Sequence, residues 1–310
     1  MMSLAEKPLP NCINVRIRVL LTTIIIILVL APSQLAISSS FATSPPNMAT
    51  MMGREAEALL EWKASLDNQS QFHLSSWVGN ITCLWVGIDC NNFSSISHIN
   101  LPNSALKGTL HTLSFSSLHS LISLILNNLL YFTIPSHLGN LSKLIYLDLS
   151  GNHLSGRISS ELCQLTCLHK LYLYDNNITG SIPYQLGKLH LLNELVLSSN
   201  GLTDSIPVSI GNLSNLIILF IYDNKLSRSI PHQLENLTSL RMLSLFNNIL
   251  TGSTPASIGN LGNLTLLEIS ANKLSGSICH EIRMLGSLAW LNLAENNLLG
   301  LIPTSMGNLG

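Results

Sequence analysis

Charge is what this chain has least of. Only 10% of its 310 residues are Asp, Glu, Lys or Arg, against 46% hydrophobic, whereas soluble proteins carry about a quarter charged residues. The formal net charge of −1 and pI of about 6.8 leave no basic patch to attract nucleic acid, so no nucleic-acid partner is expected. Six cysteines are too few for a disulfide scaffold, and a hydrophobic core must supply the stability. Catalytic signatures are missing too. Gly180 to Gly187-Lys188 is too long for a phosphate loop and lacks the Ser or Thr after Lys. His280-Glu281 opens like a zinc-protease helix, but Met284 stands where the second His belongs. There is no kinase Gly-rich loop, His-Arg-Asp or Asp-Phe-Gly, and the ten histidines lack ligand spacing. The expectation is a chain that is not an enzyme and takes no metal or cofactor.

The N-terminus points to a compartment. Arg16 and Arg18 precede an apolar run from Val19 to Ala31, ended by Pro32, and Ser40-Phe41-Ala42 resembles a cleavage site. Residues 1–42 therefore read as a secretory signal peptide. The rival reading, an uncleaved anchor reaching Ile37, would bury Pro32, Ser33 and Gln34 in hydrocarbon. Eight Asn-x-Ser/Thr sequons start at Asn68, Asn80, Asn92, Asn140, Asn177, Asn212, Asn236 and Asn263. Glycans there would supply the solubility that charge does not.

What the chain does have is a repeat. Asn128, Asn152, Asn176, Asn200, Asn224, Asn248, Asn272 and Asn296 stand 24 residues apart without a slip. Leucine or isoleucine keeps phase five and three places before the Asn from Leu147 onward, and two places after it from Leu130 to Leu298. Ser104 holds the Asn position of a weaker, earlier copy, making nine repeats over 92–310. Leu-x-Leu is a strand with both leucines inward. The Asn turns the chain, and its amide can satisfy backbone groups left unpaired in a buried turn. Ile-Pro, as at Ile182-Pro183, fixes an extended return path. No coil buries its leucines alone, so the fold must stack.

The pattern Leu-x-x-Leu-x-Leu-x-x-Asn-x-Leu-x-Gly-x-Ile-Pro resembles the plant extracellular leucine-rich repeat. Glu57-Ala58-Leu59-Leu60-Glu61-Trp62-Lys63, Leu74-Ser75-Ser76-Trp77 and Cys83-Leu84-Trp85-Val86-Gly87-Ile88-Asp89-Cys90 look like its N-terminal cap, over 53–91. The wording of the repeats (Leu171-Tyr172-Leu173-Tyr174, Ile258-Gly259-Asn260-Leu261) is most similar to ectodomains of male-discoverer-interacting receptor-like kinases. The resemblance implies an α/β solenoid, a right-handed superhelix with a parallel sheet on its concave face and a cap at the N-terminus. It also implies extracellular recognition of a secreted peptide or protein, at the plasma membrane or in the apoplast, in development or defence. A co-receptor kinase with leucine-rich repeats would be a further partner, and the family's own kinase and membrane helix lie outside this sequence. Membrane attachment would then need a C-terminal region beyond this sequence, or an uncleaved N-terminal segment. Two other readings are an apoplastic inhibitor of cell-wall-degrading enzymes, similar to the polygalacturonase inhibitors, and a nonfunctional truncated receptor.

Departures from the pattern carry their own expectations. Leu121, Leu124 and Leu126 sit one place late relative to Asn128, and Phe132 fills a Gly site, which predicts a distorted coil. Asp204 and Arg228 share the Gly phase in adjacent coils, either as a surface ion pair or through drift. Ser159 and Cys279 replace Pro, and Thr254 replaces Ile. Leu309 closes the last repeat facing inward, which predicts an uncapped end. Cys83 and Cys90 flank a tight cap segment and are expected to pair in an oxidising lumen, two buried thiols being the alternative. Cys163 and Cys167 lie on one coil as a pair or as isolated thiols, and Cys279 is too far from both to bridge.

The candidate site is the concave face, whose residues alternate with the core leucines. Counting back six, four and two places from each Asn gives three outward columns. They contain Tyr146, Lys170, Glu194 and Trp290 in the first, Asp148, Tyr172 and Phe220 in the second, and Tyr174, Tyr222 and Phe246 in the third. Seven of the chain's 17 aromatics fall on these columns, the kind of surface that binds peptides; a strand's liking for aromatics is the plainer explanation. For the N-terminus, expression in plant cells should give a secreted protein that begins near residue 43 and loses mass on deglycosylation. An intact N-terminus with no glycan shift would overturn that.

Overall fold

Each turn of the chain is built from three short pieces, and the structure, a computed structural model, describes them over residues 48–302, with side chains from 53. The predicted signal peptide and Leu309 lie outside the described residues. The Leu-x-Leu segments form a ten-stranded inner sheet running from Ile88–Cys90 through Ile96–Asn100, Ser123–Ile125 and Tyr146–Asp148 to Trp290–Asn292. The first pair is antiparallel and the other neighbours are parallel. Register is strict: Leu147, Leu171, Leu195, Leu219, Leu243, Leu267 and Leu291 are direct neighbours along one row. Their side chains join Leu149, Leu173 and Ile221 in one continuous core.

Past the Asn, the chain forms a second strand and then a 3-10 helix. Pro135, Pro183, Pro207, Pro231 and Pro255 open these helices with φ between −66 and −70°. The proline ring holds the extended entry that the return path needs. Where Ser159 replaces Pro, its hydroxyl accepts from the Leu162 N–H at 3.4 Å. Cys279 takes the same backbone angles without any side-chain cap. Thr254, in an isoleucine site, is buried with its hydroxyl unpartnered, a departure for which the structure shows no compensation.

The Asn row joins the coils. Asn176 donates from Nδ2 to the Leu149 carbonyl of the coil before at 2.9 Å and to Leu173 of its own at 3.1 Å. Its Oδ1 accepts from the Leu154 N–H at 2.9 Å. The same three-way pattern recurs at Asn200, Asn224, Asn248, Asn272 and Asn296. A side chain with two donors and an acceptor in one plane is what this turn needs, and Asn holds the position in every coil from Asn128 to Asn296.

The residue before each Asn is left-handed, at φ 63° for Gly151 and 49 to 55° for Asp175, Ser199, Asp223, Asn247, Ala271 and Glu295. Six non-glycines accept a conformation that costs about 1–2 kcal/mol for an L-residue. The first strong coil lacks this residue. Two residues separate Ile125 from Asn128, where three separate Asp148 from Asn152, while the strand register runs through as Leu124↔Leu147. The distortion expected there is confined to the turn. Phe132 takes φ 71°, close to the 75° of Gly156 in its column. Asp204 and Arg228 also take the left-handed backbone, at 65 and 63°. They form no ion pair among the described residues, where Lys170–Glu194 is the salt bridge found. Drift is the correct reading.

The cap covers the first coil with a helix, Met48–Ser65, and three adjoining indoles, of which Trp77 and Trp85 are stacked. Trp62 and Trp77 lie 6.1 Å apart, and Trp77 and Trp85 5.4 Å. Each indole N–H finds a carbonyl: Trp62 that of Thr109, Trp77 that of Val86 and Trp85 that of Val78. Glu55 is buried and accepts from the Ser95 hydroxyl and the Ile96 N–H, and burial raises its pKa. Cys83 and Cys90 form a disulfide across the cap loop. Cys163, Cys167 and Cys279 are free thiols, and burial pushes Cys163 up to about 11.

At some junctions on the 3-10 side the coils approach closely over a glycine, while Cys163, Glu235 and Arg283 hold the same phase at others. A Cβ on Gly211 would lie 2.3 Å from the Gln233 carbonyl oxygen of the next coil, and Gly139 and Gly187 face Glu161 and Ser209 in the same way. Gly262 has nothing within 4 Å. We expect Gly211→Ala to destabilise by about 1–3 kcal/mol through forced overpacking, and Gly262→Ala to stay within about 0.5 kcal/mol. Urea unfolding checks this; equal midpoints for the two variants would refute the close-approach argument.

Candidate functional site

Strands of three residues place three side chains per coil on the inner face, two outward and one inward, and the turn adds a third outward residue. Neighbouring coils pair in register, so each column stacks at about 4.8 Å. At this spacing side chains from adjacent coils cover one another. Asp148, Glu194 and Phe220, expected to be exposed, are instead 7%, 3% and 4% exposed. Tyr222 and Phe246 are half-buried rather than open. Val196, Ile218 and Phe220 are buried yet lie outside the leucine core. They form a separate apolar strip on the inner face. Alternation reveals which face a side chain takes, but not how far its neighbours cover it.

The N-terminal part of this face is a polar network. Lys170 Nζ meets Glu194 Oε1 at 2.8 Å, and Tyr172 donates its hydroxyl to the same carboxylate. Tyr146 donates to Asp148 Oδ2 at 3.2 Å, while its ring stands edge-on to Tyr172 at 5.4 Å. Tyr174 leans on Tyr172 at 6.3 Å. Asp148 Oδ1 accepts from the Ser150 hydroxyl at 2.6 Å, the Ser150 N–H at 3.0 Å and Asn127 Nδ2 at 2.8 Å. Asn127 was hidden from sequence reasoning because it sits in the shortened coil, where no column count finds it. Toward the C-terminal side Phe220 packs on Tyr222 at 6.0 Å, Ser244 donates to Glu268 at 3.1 Å, and Trp290 is 58% exposed.

The phenols report this burial. Tyr146 and Tyr172 are raised well above the ordinary phenol range, first by burial and then by the charges of Asp148 and Glu194 respectively. Burial also raises Tyr174 and Tyr222. None of this arrangement is a nucleophile–base pair. Among the described residues no group of three or more His, Cys, Asp or Glu is placed to hold a metal ion, and no helix is long and apolar enough to cross a membrane.

All eight sequon asparagines are exposed and none lies in an inner strand. Asn140, Asn212 and Asn236 end 3-10 helices on the opposite side. The inner sheet is thus the broad surface free of sequons.

A capped solenoid of Asn-stitched coils with a parallel inner sheet defines a leucine-rich-repeat binding scaffold. The chain is a leucine-rich-repeat protein with an N-terminal cap: residues 159–292 match the leucine-rich repeat region, 52–91 the leucine rich repeat N-terminal domain, and 143–165 and 287–309 further leucine rich repeats. It is 43% identical over 130 residues to the MDIS1-interacting receptor like kinase 2 of Arabidopsis thaliana, covering 40% of this chain and 10% of that one. To the leucine-rich repeat receptor-like serine/threonine-protein kinase RGI4 of the same plant it is 41% identical over 108 residues, 34% of this chain and 10% of the kinase. The matched stretch is thus about a tenth of the length of these relatives. Among solved structures, the GASSHO1/SCHENGEN3 ectodomain of Arabidopsis thaliana, in complex with CASPARIAN STRIP INTEGRITY FACTOR 2, aligns with TM-score 0.79 and 35% identity. The alignment covers 83% of this chain and 31% of that one. The Arabidopsis receptor kinase HAESA, in complex with the peptide hormone IDA and the co-receptor SERK1, aligns with TM-score 0.67 and 30% identity over 83% and 52%.

The raised phenols allow a direct check. A group whose folded pKa exceeds its unfolded value, about 10 for Tyr, stabilises the fold below pH 10 and loses that contribution as pH climbs toward the folded pKa. Absorbance at 295 nm should therefore show Tyr146, Tyr172, Tyr174 and Tyr222, four of six tyrosines, ionising above pH 10 and together with alkaline unfolding. Reversible ionisation of all six near pH 10 would show that these hydroxyls are open to water.

Proposed function

We propose that this chain is the ligand-recognition part of a plant cell-surface receptor, that it binds a secreted peptide or protein along its inner sheet, and that binding starts a developmental or defence signal. The observation that carries the reading is the inner face itself. It concentrates aromatics, holds them on a preorganised polar network, and is free of sequons. Solved neighbours with 30 to 35% identity carry bound partners, one a peptide hormone together with a co-receptor, which supports a peptide ligand and a co-receptor of that kind here. On this reading the chain works as a glycoprotein in the secretory pathway and then at the outer face of the plasma membrane or in the apoplast. It binds and does not catalyse; a kinase would belong to another region of a longer protein.

The test is capture of peptides from apoplastic fluid by the immobilised glycoprotein, read by mass spectrometry. The Tyr222→Ala/Phe246→Ala double variant should lose the captured peptides, and Asn212→Gln on the opposite face should keep them. Each aromatic is half-buried, so each truncation should cost about 1 kcal/mol of stability, about half the value of full burial. Leu245→Ala, in the core, should cost about 2–5 kcal/mol through its cavity. Capture of the same peptides by wild type and the aromatic variant would refute the inner face as the site.

A further inference from the structure

The inner face carries an uncompensated negative charge. Its outward columns hold three carboxylates, Asp148, Glu194 and Glu268, and one ammonium, Lys170. Lys170 is committed to Glu194 at 2.8 Å, the salt bridge found among the described residues. Asp148 is held by neutral donors only: Tyr146, Ser150 and Asn127. Glu268 is half-buried and accepts from the Ser244 hydroxyl at 3.1 Å. Three further carboxylates, Asp175, Asp223 and Glu295, line the turn that borders the sheet. In a chain with net charge −1 this face is where the negative sign collects.

A second observation, independent of the acids, lies beside Glu268. Ser270 follows it two residues later on the same face, is 3% exposed, and its hydroxyl has no partner. Its neighbour one coil earlier in the column is Phe246, whose phenyl ring offers no group to bond; Ser198, three coils earlier, is likewise buried without a partner. A buried hydroxyl without a protein partner is unfavourable, and a donor placed beside Glu268 would satisfy it.

Asp148 and Glu268 share one column five coils apart, about 24 Å at 4.8 Å per coil. Between them runs the apolar strip of Val196, Ile218 and Phe220. Resting on the peptide-binding reading above, we infer that the inner sheet selects an extended peptide with a cationic side chain near each end and an apolar middle. About seven residue steps of roughly 3.3 Å span the two carboxylates. Glu268 with Ser270 receives one cation, Asp148 the other, and Phe220, Tyr222 and Phe246 take the middle. Truncating a single charge should act through salt-sensitive attraction.

The probes are fluorescein-labelled octapeptides: Lys-Ser-Leu-Gly-Phe-Leu-Ser-Lys, the same sequence with Glu at both ends, and the Lys form with Ser for both Leu and Phe. Anisotropy at low salt with the full glycosylated chain should show the first binding at least about tenfold more tightly than either companion. Raising the salt to 0.5 M should erase most of the preference over the Glu form. Glu268→Gln should shrink that preference several-fold, whereas Glu57→Gln at an exposed position on the cap should leave it intact. Asp148→Asn keeps the hydrogen-bonding shape and serves as the second variant if Glu268→Gln fails to fold. Equal binding of the Lys and Glu peptides, or a preference untouched by both inner-face variants, overturns the inference. If the inner-face aromatics still govern capture of apoplastic peptides in that case, the receptor reading survives and only the charge selection falls.

Discussion

One side-chain amide, repeated every 24 residues, sets nearly everything else in this protein. Each ladder asparagine closes its own turn and bonds the coil before it, with donors at 2.7 to 3.2 Å. A net hydrogen bond contributes only about 1 kcal/mol, but leaving such buried carbonyls unpaired costs more. Stability in a stacked array is a sum of coil and neighbour terms, so a bond that recurs at every junction fixes register along the whole length. That fixed register allows Ala271 and Glu295 to hold a left-handed turn that neither would adopt alone. It also puts Leu147 beside Leu171 and Asp148 beside Tyr172 without slippage.

Departures from the repeat meet a different physical constraint on each side of the coil. The outer-strand Gly column admits Phe132, Asp204 and Arg228, because their side chains point outward and only backbone strain is incurred. The 3-10 column also admits other residues, Cys163, Glu235 and Arg283 holding the glycine phase in three coils, but the glycine junctions are close. Gly139, Gly187, Gly211 and Gly259 each face a carbonyl of the next coil at 2.3 to 2.5 Å from a notional Cβ. Backbone strain of a kcal/mol or two can be offset by stacking, whereas two atoms cannot share a position.

This contrast explains what the sequence made legible. The core was readable because inward leucines repeat in phase with the strands, and the cap because its motifs around Trp62, Trp77 and Cys83 to Cys90 resemble those of plant leucine-rich-repeat proteins. The concave columns were readable as a face, and Tyr146, Lys170, Tyr172, Tyr174, Tyr222, Phe246 and Trp290 do lie there. Their burial was not readable. Whether Glu194 is open or covered depends on the reach of Lys170 and Tyr172 from the neighbouring strand, a lateral relation that alternation along one strand cannot express. Asn127 was invisible for a related reason. Its coil is one residue short, so it reaches Asp148 from a place that no column count assigns. The shortened turn itself was misplaced: leucines out of phase with Asn128 suggested a distorted coil, but strands pair with strands, and the deficit moved into the turn.

The scarcity of charge follows from the same stacking. Residues 24 apart sit about 4.8 Å from one another, so a charge in any column faces its counterparts in two neighbouring coils. Like charges at about 4 Å repel by about 1 kcal/mol in water and about 4 kcal/mol near a protein surface, and a faithful repeat would multiply that at each junction. The inner columns obey this: Lys170 stands beside Glu194, Asp148 beside Tyr172, and Glu268 between Ser244 and Asn292. No two like charges are adjacent in them. A periodic solenoid therefore keeps its charges few and isolated. Lys170 neutralises Glu194, and the other inner-face carboxylates, Asp148 and Glu268, stand apart among hydroxyls, amides and rings, where a single cation from a partner would meet little competition.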